Sequence, residues 1–261
     1  VRAELASLES PELTVRTLGG FRVLRRGVAV PHSVWQSRKA RDLLKILVAR
    51  RGVPIPREQL CDLLWPEVDP DRSAGRLSVA MSTLRSVLDP EKRHETNHYL
   101  ASAESSAWLR REHLDIDVEQ FLHRAAAALA RAESTGTDEL AAAEAAYAGD
   151  FCEEDRYADW AAVLREEARV TYVSVARAVA QRHADAADHE TAARYLLRLL
   201  ACEPYDERAH LLLVRELDSA GRHGDARRMY RAYAARMAEL DVEQAPYPDQ
   251  ARATAGGGAA P

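Results

Sequence analysis

The sequence predicts a mainly α protein with small β elements, in which a sheet, three helices and a hairpin precede an all-α helical-repeat domain. Three observations point there. Residues 57–88 read as a short helix, a turn and a second helix with one apolar and one polar face. Strand signals stop near residue 110. Ala-rich helical periodicity with a 34-residue echo occupies most of the remaining chain.

A chain of 261 residues with 47% hydrophobic content can bury a sizeable core, and its length favours two domains. The net charge of −5 hides an asymmetry. Residues 1–115 carry 19 Lys and Arg against 15 Asp and Glu, and residues 116–261 carry 17 against 26. A mildly basic first half can approach phosphate, whereas an acidic second half is repelled by it. Charge alone favours an ordinary, mildly basic soluble domain. Cys61, Cys152 and Cys202 stand far apart without a C-x-x-C pair, so neither a zinc module nor a disulfide framework is expected, and all three read as buried thiols. There is no apolar run of membrane-spanning length, about 18 residues or more, and the amino end lacks the layout of a signal peptide, so the expected location is cytoplasmic, without membrane contact.

In chain order, residues 13–30 alternate apolar and polar side chains around Gly19-Gly20 and Gly27, which predicts short antiparallel strands joined by tight turns. From Ser37 the period becomes helical. Ala40, Leu43, Leu44, Leu47 and Val48 form one stripe, with Arg38, Lys39, Arg41 and Lys45 off it, and Arg51-Gly52 ends the helix. Pro56 starts the next helix, over 57–64, with Leu60, Leu63, Leu64 and Trp65 pointing inward. The segment 66–72 reads as an acidic exposed turn, and Ser73 sits where the following helix, 74–88, wants its N-cap. Along that helix Leu77, Met81, Leu84 and Leu88 make the buried stripe. Asp89-Pro90 breaks it, and Tyr99–Ala103 with Ala107–Arg110 flank a hairpin turn.

Six helices are expected beyond Asp117: 117–133, 138–148, 157–186, 189–201, 205–220 and 223–239. His189-Glu190-Thr191-Ala192 lines up with His223-Gly224-Asp225-Ala226, Leu196 with Tyr230, and Pro204 comes after a helix, which is the tetratricopeptide (TPR) pattern. Residues 245–261 are Pro-, Gly- and Ala-rich and read as a disordered tail or linker. The domain division is therefore 1–112, 113–244 and 245–261.

No catalytic constellation is present: no phosphate loop, no dinucleotide fingerprint, no H-E-x-x-H and no G-x-S-x-G elbow. An enzyme is not expected, and no cofactor is implied. His94 and His98 share a loop with Glu95, but without a third ligand at fixed spacing a solvated loop outweighs a metal site. Binding is the stronger reading. In a winged helix–turn–helix, helix 74–88 would enter the major groove. Arg76 would reach a guanine edge there, and Ser78, Ser82 and Thr83 would hydrogen-bond bases or phosphates. Arg72, Arg85, Arg38, Lys39 and Arg41 would hold phosphates, with Arg110 and Arg111 beside the hairpin near a minor groove. For Arg85 a pair with Asp89 at i+4, worth about 0.3–0.5 kcal/mol, weighs equally.

Residues 13–110, with SRKARDLLKILVARRG, PREQLCDLLWPE and RLSVAMSTLRSVLDP, resemble the OmpR-type winged helix–turn–helix as it occurs in the Streptomyces antibiotic regulatory protein family of activators. Residues 115–240, with DIDVEQF, AYAGDF, RYADWAAVLREEARVTY and ACEPYDERAHLLLVRELDSAGRHGDARRMYRAYAARMAEL, resemble that family's bacterial transcriptional activation domain. The resemblance implies an activator of secondary-metabolism genes that binds tandem direct repeats in double-stranded DNA as a side-by-side homodimer. It also implies contact with RNA polymerase and its sigma factor through the turn carrying Glu67, Asp69 and Asp71. Two departures stand out: Ser82 and Thr83 occupy positions where such helices often carry Arg, and Asp241 and Gln244 stand where the family has Gly and Pro. The alternative is a TPR-type interaction or sensor module of a larger regulator, with weak DNA binding.

Overall fold

The structure, a computed structural model, describes residues 12–131 and 136–248. Of these, 12–121 with 147–168 form one compact unit, and 122–131, 136–146 and 169–248 form another. The elements in chain order are β1 (Leu13–Arg16), β2 (Arg22–Arg25), β3 (Val28–Ala29), α1 (Arg38–Ala49), β4 (Ile55–Pro56), α2 (Arg57–Leu64), α3 (Pro70–Leu88), β5 (Leu100–Ser102), β6 (Ser106–Leu109) and β7 (Asp115–Ile116). They continue with α4 (Asp117–Ala130), α5 (Thr137–Ala145), α6 (Asp159–Asp185), α7 (His189–Cys202), α8 (Glu207–Ser219) and α9 (His223–Glu239).

In the first unit, β1–β3 pair antiparallel, Val15 opposite Val23, as the alternation of buried Leu13, Val15 and Val23 with arginines requires. Sequence reading missed β7, two residues long, which joins β1 in parallel, Thr14 opposite Asp115 and Val15 opposite Ile116. The next residue, Asp117, is largely buried and accepts hydrogen bonds from Thr17 N–H (2.8 Å), Thr17 Oγ1 (2.7 Å) and Leu18 N–H (3.1 Å). The adjoining turn needs glycine at position 19, whose φ is +67° and where a Cβ would collide with the carbonyl of Ala148.

Helix α1 buries its expected stripe, but it also buries Lys45, which was expected off the stripe and is only 3% exposed. The reason is an acidic partner distant in sequence. Lys45 Nζ lies 2.6 Å from Asp155 and 3.0 Å from Glu154, with the Phe21 ring 5.1 Å away. Burial works to depress its pKa, but the hydrogen bonds it donates to the two carboxylates, with their negative charges, outweigh it and raise the group above its ordinary value.

In α2, Leu60 and Leu64 are buried as expected, whereas Leu63 turns outward and Trp65 is half-buried. Helix α3 starts four residues earlier than expected. Asp69 is its N-cap, accepting the Asp71 N–H at 3.1 Å, and Pro70 takes the first helical position, where its missing N–H costs nothing. Ser73, expected as the cap, lies inside the helix at 2% exposure with its hydroxyl donating to the Pro70 carbonyl. Beyond α3, β5 and β6 form the expected hairpin, and β4 adds a third strand, Ile55 opposite Ala107.

The second unit is helical. Its repeat appears in the caps: Asp188 N–H donates to the His183 carbonyl and Arg222 N–H to the Leu217 carbonyl, both at 2.8 Å and 34 residues apart. Each bond closes over a left-handed residue, Ala187 at φ 58° and Gly221 at φ 73°. Asp241, standing where the family has Gly, itself takes φ 56°, and Val242 N–H donates to the Met237 carbonyl, so α9 still ends in that way. Of the expected tail, residues 245–248 are held. Tyr230 Oη donates to the Ala245 carbonyl, Ala245 N–H donates to Tyr233 Oη, and Tyr247 Oη bonds Asp218. Residues 249–261, and 132–133 of the expected first helix, lie outside the described residues.

Candidate nucleic-acid interface

Helix α3 has two opposite faces. Ser73, Leu77, Ala80, Met81, Leu84, Val87 and Leu88 are buried, and Arg72, Gly75, Arg76, Ser78, Val79, Ser82 and Ser86 are exposed. Opposite the apolar stripe run Gly75, Val79, Ser82 and Ser86, at the spacing of one helical face. Val79, 65% exposed, is the apolar member of this outward row and was missed by sequence reading. Its position is nonetheless legible, because it stands two residues from both Leu77 and Met81 and so about 200° from either. A valine on such a face fits the C5-methyl of a thymine.

The expected basic residues divide into two sets. Lys39, Arg72 and Arg76 come together with Ser37, Trp65, Gly75 and Val79 along one shallow cleft of about 540 Å³. Lys39 has only a loose link to Asp42 at 3.9 Å, and Arg38 is exposed at the same end of α1. Ser82 is exposed and Thr83 half-exposed. The other residues are committed elsewhere. Arg41 contacts His32 Nδ1 at 2.9 Å and stacks 5.4 Å from Phe21. Ser78 accepts from Arg57 Nη2 at 3.1 Å, and Arg85 Nη2 donates to Ser102 Oγ at 2.9 Å. The pair of Arg85 with Asp89 does not form, because Asp89 instead accepts the N–H groups of Arg93 (3.0 Å) and His94 (2.9 Å) just past the helix. Burial works to raise the Asp89 pKa, but those two bonds and the charges of His94 and Arg93 together outweigh it and hold the carboxyl below its usual range.

The hairpin tip, Ala103-Glu104-Ser105, carries no cation. At its base Arg110 is exposed, while Arg111 pairs with Glu119 at 3.1 Å. Glu67, Asp69 and Asp71 are all exposed around the start of α3, with Asp69 spent in capping.

The loop between α3 and the hairpin holds a stack of histidine rings, His94 on His98 at 4.0 Å and His98 on His113 at 3.8 Å. Face-to-face rings do not converge their nitrogens on one point, and among the described residues no group of His, Cys, Asp and Glu could hold a metal ion. Cys61 and Cys152 are buried and Cys202 is half-buried; burial pushes the Cys152 thiol far above its ordinary pKa, leaving it unreactive. Among the described residues, no helix is long and apolar enough to cross a membrane.

A helix with a polar outward face, flanked by cations and leading into a hairpin, defines a winged helix–turn–helix transcriptional regulator. Residues 114–251 match the family described as bacterial transcriptional activator domain, and the chain belongs to that family. Residues 32–102 match the transcriptional regulatory protein, C terminal, family. Both matches agree with the resemblance to the Streptomyces antibiotic regulatory protein family. The solved structure of Mycobacterium tuberculosis EmbR in complex with a low affinity phosphopeptide is similar in fold, with a TM-score of 0.72 at 22% identity over 91% of this chain. The chain spans 63% of the length of that protein. No curated protein matches it.

Proposed function

We propose that the protein is a sequence-specific DNA-binding transcriptional activator that binds tandem direct repeats at promoters as a side-by-side homodimer. The observation that carries this reading is the outward face of α3, where Arg72 and Arg76 stand exposed along one cleft with Lys39 and Ser82 is exposed further along the helix, opposite a face wholly spent on the core. Arg76 is the base reader, and Lys39, Arg38 and Arg72 hold phosphates. Residues 1–112 read DNA, residues 113–244 activate, and 245–261 form the tail. Glu67, Asp69 and Asp71 meet RNA polymerase or its sigma factor, and the regulated genes belong to secondary metabolism. The protein acts in the cytoplasm and performs no catalysis of its own.

Salt-titrated gel shift on sites captured from genomic DNA tests this. Arg76→Ala is expected to cost about 1–3 kcal/mol on cognate sites only, whereas Lys39→Ala weakens every sequence alike and flattens the salt dependence by about one counterion. Unchanged binding in both variants would sink the assignment.

One observation favours the second reading, a protein-interaction module of a larger regulator. Gln181, Arg208, Leu211, Leu212 and Arg215 line an open groove of about 740 Å³ whose remaining wall includes Ala245, Pro246 and Pro248. Capture of polymerase or sigma factor without DNA, combined with no shift on any promoter, would favour it.

A further inference from the structure

Among the described residues, two arginines, one on the recognition helix and one bonded to it, have no carboxylate partner. Arg57 opens α2, and its Nη2 donates to Ser78 Oγ at 3.1 Å. Arg85, two turns along α3 from Ser78, donates through Nη2 to Ser102 Oγ at 2.9 Å and to the Leu100 carbonyl at 3.4 Å, both on strand β5 of the wing. Among the described residues neither guanidinium has a carboxylate partner, and both are half-buried. A guanidinium carries five N–H donors and no acceptor, so most of the donors of this pair are unspent, and the Nε of Arg85 is buried with no partner. Burial, and after it the charge of Arg57, hold the Arg85 pKa below its ordinary value, the mark of a cation neither solvated nor neutralised. Elsewhere in this unit a buried cation is answered fully, as Lys45 is by Asp155 and Glu154.

We infer that Arg57 and Arg85, with the hydroxyl of Ser102, form a clamp for one phosphodiester group of the DNA backbone, seated between the recognition helix and the wing, while Ser78, whose hydroxyl donates to the Ala74 carbonyl at 3.1 Å, holds Arg57 in place. The inference rests on the DNA-binding reading above and deepens it. A phosphate presents two anionic oxygens that suit the forked donors of guanidinium groups, and its charge removes the repulsion between the two cations. The donors come from α2, α3 and β5, so one bound phosphate ties three elements together. The clamp sets register and carries no sequence information, which leaves base reading to the opposite flank, where Arg76 stands.

The test uses the full chain as wild type, Arg57→Gln, Ser102→Ala and, as a control on an exposed position of α9 in the second unit, Arg231→Gln, each titrated with salt against a short duplex of random sequence. Arg57→Gln is expected to weaken binding about three- to tenfold at low salt and to make the slope of log K against log salt shallower by up to about 0.9, the value for one phosphate. Ser102→Ala gives a smaller loss, and Arg231→Gln gives none. Without DNA, Arg57→Gln keeps or raises the melting temperature, because a like-charge contact is removed. Arg57→Gln that binds as wild type does, with an unchanged slope, overturns the clamp while leaving the DNA reading intact. A melting temperature that falls along with binding assigns Arg57 a structural role and also overturns it. Wild type that binds no duplex overturns the DNA reading itself. Inorganic phosphate at constant ionic strength separates the sources: if it stabilises wild type as much as duplex does, and not Arg57→Gln, the site belongs to a free phosphate rather than to DNA.

Discussion

The two compact units are held together by different means. The first ties residues about a hundred positions apart: Asp117 receives the amides of Thr17 and Leu18, Lys45 meets Asp155 and Glu154, and Arg51 meets Glu167 at 2.9 Å. The second closes helix on neighbouring helix and repeats its cap after 34 residues, with Ala187 and Gly221 in the same left-handed position. Non-local ties must overcome the entropy of closing long loops, and they are invisible to periodicity. Local repeats leave their period in the sequence. The reading interface therefore lies in the unit that is harder to derive from sequence.

The largest expected effect breaks the long-range side of this comparison. Lys45→Met keeps the volume but leaves Asp155 and Glu154 facing an apolar side chain. Because these carboxylates are partly solvated, the expected loss is about 2–4 kcal/mol, somewhat below that of a fully buried pair. Urea unfolding of the full chain measures it, and an unchanged midpoint would mean that the cluster does not hold the unit. A smaller effect sharpens the repeat side. Gly221→Ala is expected to lose about 1 kcal/mol and Ala187→Gly to gain a similar amount, since a Cβ is strained at both positions. Two changes of the same sign would show that the caps are not equivalent.

The smallest expected effect concerns pH. His98 has its pKa lowered from the usual 6.5 by burial first, then by the neighbouring His113 and His94. Its folded form therefore resists protonation. The stability it contributes is fully present above pH 6.5 and is lost as pH falls through the lower folded value. The melting temperature of wild type should drop more between pH 7.5 and 5.5 than that of His98→Gln, and parallel curves would remove the stack from the account.

Much of the interface was legible in the sequence. The buried stripe of α3, its polar face and the hairpin after it come from periodicity alone, and so did Arg72, Arg76 and Ser82 as exposed groups. The start of α3 was misread because Ser73 and Asp69 are both acceptable caps. Pro70 decides between them, since it favours the first helical position and makes Asp69 the cap. Arg57 escaped notice because it lies 21 residues from Ser78, and no local pattern joins them.

The order and faces of the helices, the wing, the repeat and the absence of familiar catalytic motifs can all be read along the chain, because each depends on residues within a few turns of one another. It took the packed fold to show that Lys45 is buried, that Arg85 turns to Ser102 instead of Asp89, and that Arg57 and Arg85 have no carboxylate partner among the described residues. Those outcomes depend on which partner arrives across space, and a side chain's partner there is set by the packing of elements far apart in the chain.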